Sequence, residues 1–419
     1  GRQSVIAVAD QYKKEQGRDE AARDAARGEV SLTESSPIVV MVRSIIEQAV
    51  RQRASDIHFE PMRDGIRIRF RIDGNLVEAM SYDMSIYTAI IARLKIISGM
   101  DISEKRKPQD GRTTMDIDHV EYDVRVSSIP TVYGEKIVMR LTNKEKLTRD
   151  KRELGLSDDD MKRFDQMLAH PHGIILVTGP TGSGKSTTLY TALSELNRET
   201  VNIVTVEDPV EANIDGVNQI QVNPKADMTF ASALRSILRQ DPDIIMIGEI
   251  RDPETAEIAV QASITGHLVA STLHTNSTSA SIARLLNMGI EPYLMADALV
   301  GVVAQRLVRK LCRCKRGREA TAQEKEELGV NQDEVLTIYE PAGCQLCSQT
   351  GYFGRTAVYE MMPVTPELRW AITKMQPSSK VKEIAQREGM ITLRGSAVRL
   401  VREGVTSLEE MKKIASEED

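Results

Sequence analysis

Residues 179–186 read Gly-Pro-Thr-Gly-Ser-Gly-Lys-Ser, the G-x-x-x-x-G-K-[ST] spacing of a loop that wraps a polyphosphate. Gly179, Pro180, Thr181, Gly182, Ser183, Gly184, Lys185, Ser186 and Thr187 are therefore the candidate nucleotide contacts. Glycines let backbone amides turn toward phosphate oxygens, and a helix starting behind them adds its positive end. Lys185 would neutralise the β- and γ-phosphates of ATP, and the Ser186 hydroxyl would take a place on Mg²⁺. Ile174–Val177 before the loop forms a short apolar run suited to a buried parallel strand. After it, Leu189, Ala192, Leu193 and Leu196 repeat at helical spacing.

Further polar residues follow other apolar runs. Glu207 ends the run from Val201, Glu249 follows Ile244–Ile247, and His274 follows the strand read over His267–Leu273. Helical segments separate these runs. One, from Phe230 to Gln240, has Thr229 as its N-cap; another, Pro253–Thr265, opens on Asp252. Alternating strands and helices predict a mostly parallel sheet, and ligands of such sheets lie at the carboxyl ends of the strands. Glu207, Glu249 and His274 thus share a rim with the phosphate loop. Glu249 is placed to activate a water, Glu207 to orient water or metal-bound water, and His274 to donate to the γ-phosphate. Gly248 stands where many phosphate-loop enzymes carry a metal-binding aspartate, so Mg²⁺ would rely on Ser186, phosphates and water.

Cys312-x-Cys314 and Cys344-x-x-Cys347 are the chain's four cysteines. Two close pairs suit a structural, tetrahedral Zn²⁺ in a reducing cytosol better than a disulfide framework. The basic run 305–318 is most simply a solvated face, with acidic lipid head groups or an acidic protein as the alternative partner.

The remaining organisation positions these groups. Residues 1–30 are charged and poor in apolar side chains and read as a linker. From 31 to 142 two helical patterns and several alternating strands predict a small α+β domain with one basic face. Arg112 and Arg125 lie on its polar side, and residues 107–112 read as an irregular loop because Pro108 and Gly111 interrupt them. A charged linker (143–155), the α/β domain (156–310), the cysteine module (311–350) and a helical tail (351–419) follow.

The chain has 419 residues, 41% hydrophobic and 28% charged, with a net charge of −6. That is the composition of an ordinary globular protein. The acidic balance and 4% aromatic content argue against a nucleic-acid translocase. No apolar run approaches the length of a membrane span. The start at Gly1 reads as that of a fragment.

GPTGSGKSTTLY, VTVEDPVE, LRQDPDIIMIGEIRDPETA and TGHLVASTLHTN resemble the Walker A, Asp, Walker B and His boxes of the secretion ATPases. These comprise the type II secretion and type IV pilus assembly ATPases. The paired cysteines set the chain apart from the retraction ATPases, and IDGVNQIQVNP is more similar to the secretion branch. The resemblance runs from about residue 36 to about 404. It implies a RecA-like P-loop ATPase domain preceded by a small PAS-like α+β domain, working as a homo-hexameric ring. It implies that arginines in the DGR and VRV motifs, Arg112 and Arg125, contact phosphate. It further implies a cytoplasmic motor, peripheral at the inner membrane through platform and anchoring proteins, that drives pseudopilus assembly and protein export.

Overall fold

The computed structural model describes residues 37–143 and 149–417. The expected linker at 1–30 lies outside them. Two compact units divide at residue 143.

In the first unit, helix α1 (Pro37–Arg51) precedes β1 (Ala54–Pro61), β2 (Ile66–Ile72) and β3 (Asn75–Tyr82). Helix α2 (Tyr87–Ser98) leads to β4 (Gln109–Ile117), β5 (Val120–Thr131) and β6 (Gly134–Asn143). The six strands form one antiparallel sheet, ordered β3-β2-β1-β6-β5-β4. Strand alternation sends Ile57, Phe59, Ile68, Phe70, Val124, Ile137 and Met139 into a core with both helices. The opposite face carries the charged residues. Here the structure corrects the sequence: Gln109 to Arg112 belong to β4, not to a loop. Gly111 pairs with Val126, and a Cβ on it would lie 2.3 Å from the Ser98 carbonyl oxygen. The glycine lets a strand pass close beneath the end of α2 rather than breaking one.

The second unit begins with a turn at Lys151–Glu153 and α3 (Asp158–Leu168). Of the stretch expected as linker, residues 144–148 lie outside the described residues. Its last part is fastened down: Lys151 reaches Asp165 at 2.8 Å and Glu195 at 2.5 Å, and Tyr359 donates to the Leu154 carbonyl.

Then come β7 (Gly173–Thr178), α4 (Lys185–Leu196), β8 (Ile203–Glu207), β9 (Asn218–Gln221), α5 (Phe230–Ile237) and β10 (Ile244–Ile247). α6 (Pro253–Ile264), β11 (Leu268–Leu273), α7 (Thr278–Asn287), α8 (Pro292–Ala298) and β12 (Leu299–Leu311) complete the main body. β13 (Arg316–Glu319), α9 (Ala322–Glu327) and β14 (Thr337–Glu340) form a small lobe. β15 (Tyr352–Pro363) and helices α10 (Pro366–Thr373), α11 (Ser378–Arg387), α12 (Leu393–Arg402) and α13 (Leu408–Glu417) end the chain.

The main sheet runs β15-β12-β7-β11-β10-β8-β9. All its pairings are parallel except β12 with β15. β7, β8 and β10 are buried along their whole length because helices cover both faces. Ile174 and Leu176 enter one core, Ile175 and Val177 the other. The caps predicted for two helices are present. Thr229 forms a reciprocal capping box with Ser232, and Asp252 accepts from the Thr255 amide. The tail differs from a purely helical reading. β15 opens it and joins the main sheet, and β12 crosses the boundary expected at 310.

Candidate functional site

The phosphate loop leaves β7 at Thr178 and enters α4 at Lys185. Gly184, at φ 87°, makes the left-handed step that aims the first helical amides back toward the loop. Lys185 is only 8% exposed; its ammonium donates to the Gly179 carbonyl at 2.7 Å and lies 3.0 Å from His274 Nδ1. Burial lowers its pKa to about 8, with Arg306 adding to the effect and Glu249 opposing it. Such a lysine is short of negative charge, which a triphosphate supplies. The Ser183 hydroxyl is buried without a partner inside the same loop. A cradle with an underpaired cation and an unpaired hydroxyl fits a phosphate chain.

Neighbouring strands hold this loop from two sides. Gln305 on β12 donates its amide to the Ser183 carbonyl at 2.8 Å and accepts from the Thr188 hydroxyl at 2.6 Å. The Thr178 hydroxyl meets Thr275 beside His274. Arg306, 5% exposed, donates to the Gln305 and Asn276 carbonyls. Sequence reading missed Gln305, Arg306 and Thr178. A polar Gln-Arg pair inside the apolar run LVGVVAQRLV was the available signal.

The three residues at strand ends do reach one rim, but they are not equivalent. Glu249 Oε1 lies 3.2 Å from His274 Nε2, so the imidazole stands between the carboxylate and Lys185. Glu249 keeps 27% side-chain exposure, which leaves room for water. Glu207 is 3% exposed and has both oxygens committed. Oε1 accepts from the Tyr190 hydroxyl, Oε2 from Thr205 at 2.8 Å and Gln219 at 3.1 Å. Burial raises its pKa despite these donors. Its neighbour Asp208 faces outward and pairs with Arg251 at 3.0 Å.

A small cleft is lined by Ser186, Tyr190, Glu207, Asp208, Gly248, Glu249 and Thr272. It gathers a hydroxyl at a helix start and several carboxyl groups, a donor set that suits Mg²⁺. Gly248 has its own physical reason. A Cβ there would come within 3.2 Å of Glu207 Cα and 3.3 Å of the Val206 carbonyl oxygen, so a side chain would press on the end of β8 by a few tenths of an ångström.

In the first unit, Arg112, Arg125 and Arg140 sit directly opposite one another on β4, β5 and β6. Asp56 on β1 faces Arg140 and accepts from it at 3.1 Å. Three like charges across neighbouring strands repel. Together with Asp56 and Asp110 they line a groove of about 650 Å³, in which cationic groups outnumber acidic ones. Arg112 is the most engaged, gripping Asp123 with two bonds of 2.8 and 2.7 Å. Sequence reading named Arg112 and Arg125 but not Arg140, which only strand register adds.

Cys312, Cys314, Cys344 and Cys347 converge, their sulfurs all within 4.8 Å of one another. The separations between Cys312 and Cys344, Cys314 and Cys347, and Cys344 and Cys347 are 3.7, 3.9 and 3.7 Å. Four thiolates about 2.3 Å from a tetrahedral Zn²⁺ would stand about 3.8 Å apart, so the set fits zinc despite the short first pair. Burial raises the Cys347 thiol, yet the amides of Cys344 and Gly351 prevail and bring it to about 6.

The sheet, loop and rim define a RecA-like P-loop ATPase. The sequence profile of the Type II/IV secretion system proteins matches residues 31–413, and the chain belongs to that family. The type II secretion system ATPase E of Vibrio cholerae is 46% identical over 385 residues, 92% of this chain and 76% of that protein. The type IV pilus assembly ATPase PilB of Myxococcus xanthus is 49% identical over 383 residues, 90% of this chain and 68% of that protein. Among solved structures, the Legionella pneumophila ATPase DotB superposes with a TM-score of 0.67 at 21% identity, covering 90% of this chain and 95% of that one. The ADP-bound pilus retraction motor PilT gives 0.60 at 25% identity, covering 88% and 95%. Among the described residues no helix is long and apolar enough to cross a membrane.

Proposed function

We infer that this chain is the ATP-hydrolysing motor of a type II secretion system, acting as a cytoplasmic ring hexamer that drives pseudopilus assembly and export. The observation that carries the chemistry is the unbroken contact from Lys185 through His274 to Glu249. Residues Gly179 to Thr187 bind the phosphates, with Lys185 opposite the β- and γ-groups. Mg²⁺, held by Ser186 and the acidic rim, would add positive charge to the phosphates. Glu249 takes the proton of the attacking water. His274 accepts from Lys185 at Nδ1 and donates to Glu249 from Nε2, which holds Glu249 in position; donation to the γ-phosphate would take the place of that second bond. Tyr190, Thr205 and Gln219 engage both oxygens of Glu207, so it would orient water at the rim only by giving up one of these bonds. Arg125 is the freest guanidinium for phosphate, with Arg112 bound to Asp123 and Arg140 to Asp56.

The export role rests on family membership and on relatives named as type II secretion proteins. A platform protein and an anchor at the inner membrane would be its partners. Pilus extension is the second reading, favoured by the 49% identity to PilB. ATP turnover of the assembled ring, measured with and without the platform protein's cytoplasmic domain, tests the proposal. Stimulation by a secretion platform supports it, and stimulation by a pilus platform alone moves it to the second reading. Stimulation by DNA with salt-sensitive DNA binding would overturn both.

A further inference from the structure

On the helix side of the first unit, away from the arginine row, lies a second cavity of about 380 Å³. Its walls are Met84, Ile91, Ala92 and Ile102 on one side and Pro130 and Tyr133 of the β5–β6 hairpin on the other. This volume lies within the range of small-molecule sites, about 300–1,000 Å³.

The floor is polar. Lys95, 1% exposed, pairs with Glu135 at 2.5 Å and donates to the Glu104 carbonyl at 2.7 Å. These two charges cancel; the remaining charge among the lining residues is that of Lys105, which is exposed to solvent. Beside them the Tyr87 hydroxyl, on a residue 7% exposed, has no partner. Buried hydroxyls are rarely left unpaired, because each forfeits a hydrogen bond to water.

The tyrosine is also held still. A Cβ on Gly134 would lie 2.7 Å from the Tyr87 ring, so the ring rests on bare backbone. Burial, with Glu135 adding to it, raises its pKa, and the hydroxyl keeps its proton as a donor. A fixed donor beside a carboxylate, at the base of an apolar slot, asks for a flat molecule with an acceptor next to a donor.

We propose that this cavity is a binding site for a neutral, ring-sized ligand with a hydrogen-bond acceptor beside a donor, the chemistry shared by a nucleobase edge and an aromatic amide. Tyr87 donates to the acceptor, Glu135 accepts from the donor, and the ring lies between α2 and the hairpin.

The test is calorimetric titration of the full chain with hypoxanthine, nicotinamide and toluene, with Mg-ADP saturating the phosphate loop. Hypoxanthine or nicotinamide binds with a Kd on the order of 0.1 mM. Tyr87→Phe, which removes only the hydroxyl, weakens that binding about tenfold. Ala92→Phe, which fills the slot, removes it; should that variant fail to fold, Tyr87→Phe decides. Binding by hypoxanthine alone assigns the nucleobase source, and by nicotinamide alone the amide. The proposal is overturned by no binding of either ring at millimolar concentration, by equal affinity in Tyr87→Phe, or by toluene binding as tightly as both.

Discussion

The side-chain amide of Gln305 donates to the Ser183 carbonyl at 2.8 Å, tying the centre of the phosphate loop to a strand that follows it by more than a hundred residues. Its oxygen accepts from Thr188 as well. Gln305→Ala breaks both bonds and leaves buried groups unpaired. Two such bonds are worth about 1–3 kcal/mol. ATP affinity, read by titration with a fluorescent analogue, should fall at least tenfold while the chain remains folded. Unchanged affinity would mean that the loop holds its shape unaided.

Lys185 gives a pH signature. Burial lowers its folded pKa to about 8, whereas an unfolded lysine titrates near 10.4. Between those values the folded chain binds fewer protons than the unfolded one, so this group's effect on stability becomes more favourable as pH rises. Phosphate binding runs the other way. A bound triphosphate holds the charge on Lys185, so ATP affinity is full below about pH 8 and falls toward pH 9.5. Titrations across that range should show the fall, and Lys185→Ala, weak throughout, should lack it. A flat profile for the parent chain would refute the assignment.

Glu249→Gln should separate binding from turnover. The amide keeps the shape beside His274 but cannot take a proton. Turnover should drop by about a hundredfold or more, with nucleotide affinity within a few-fold of the parent. Parental turnover would remove Glu249 from the role of base. Glu207→Gln, by contrast, disturbs a buried cluster with Tyr190, Thr205 and Gln219, and should also lower the melting temperature.

The arginine row should divide by role. Arg112→Ala strips the bidentate partner from Asp123, which is 3% exposed, and should cost about 1 kcal/mol of stability in denaturant unfolding. Arg125→Ala, whose nearest carboxylate lies 3.9 Å away, should leave stability within about 0.5 kcal/mol and reduce turnover at least tenfold. The reverse pattern would make Arg112 the phosphate ligand.

Zinc should be present at about one ion per chain by elemental analysis. Chelation or Cys347→Ser should loosen residues 312–351, seen as faster proteolysis there, while ATP binding at Lys185 persists. Metal-free protein with the same protease resistance would leave the cysteines as packing residues.

Much of this molecule was legible in sequence because its information is local. The phosphate loop is a contiguous string, strands announce themselves as apolar runs, and Thr229 and Asp252 cap helices whose first turns lie beside them. Placing Glu207, Glu249 and His274 at one rim needed only strand ends and the rule that parallel strands share a carboxyl edge. Even the cysteine pairing into one cluster followed from spacing.

Tertiary structure decided what depends on partners distant in the chain. Register alone set Arg140 opposite Arg125, and packing alone turned Glu207 inward to Tyr190 while Glu249 stayed open to His274. Close approach explained Gly111, read from sequence as a breaker, and the long β12–β15 pairing drew a supposed helical tail into the central sheet. A side chain's neighbours along the chain determine its local conformation. Which groups it meets across the core depends on how the elements pack, and no local spacing records that.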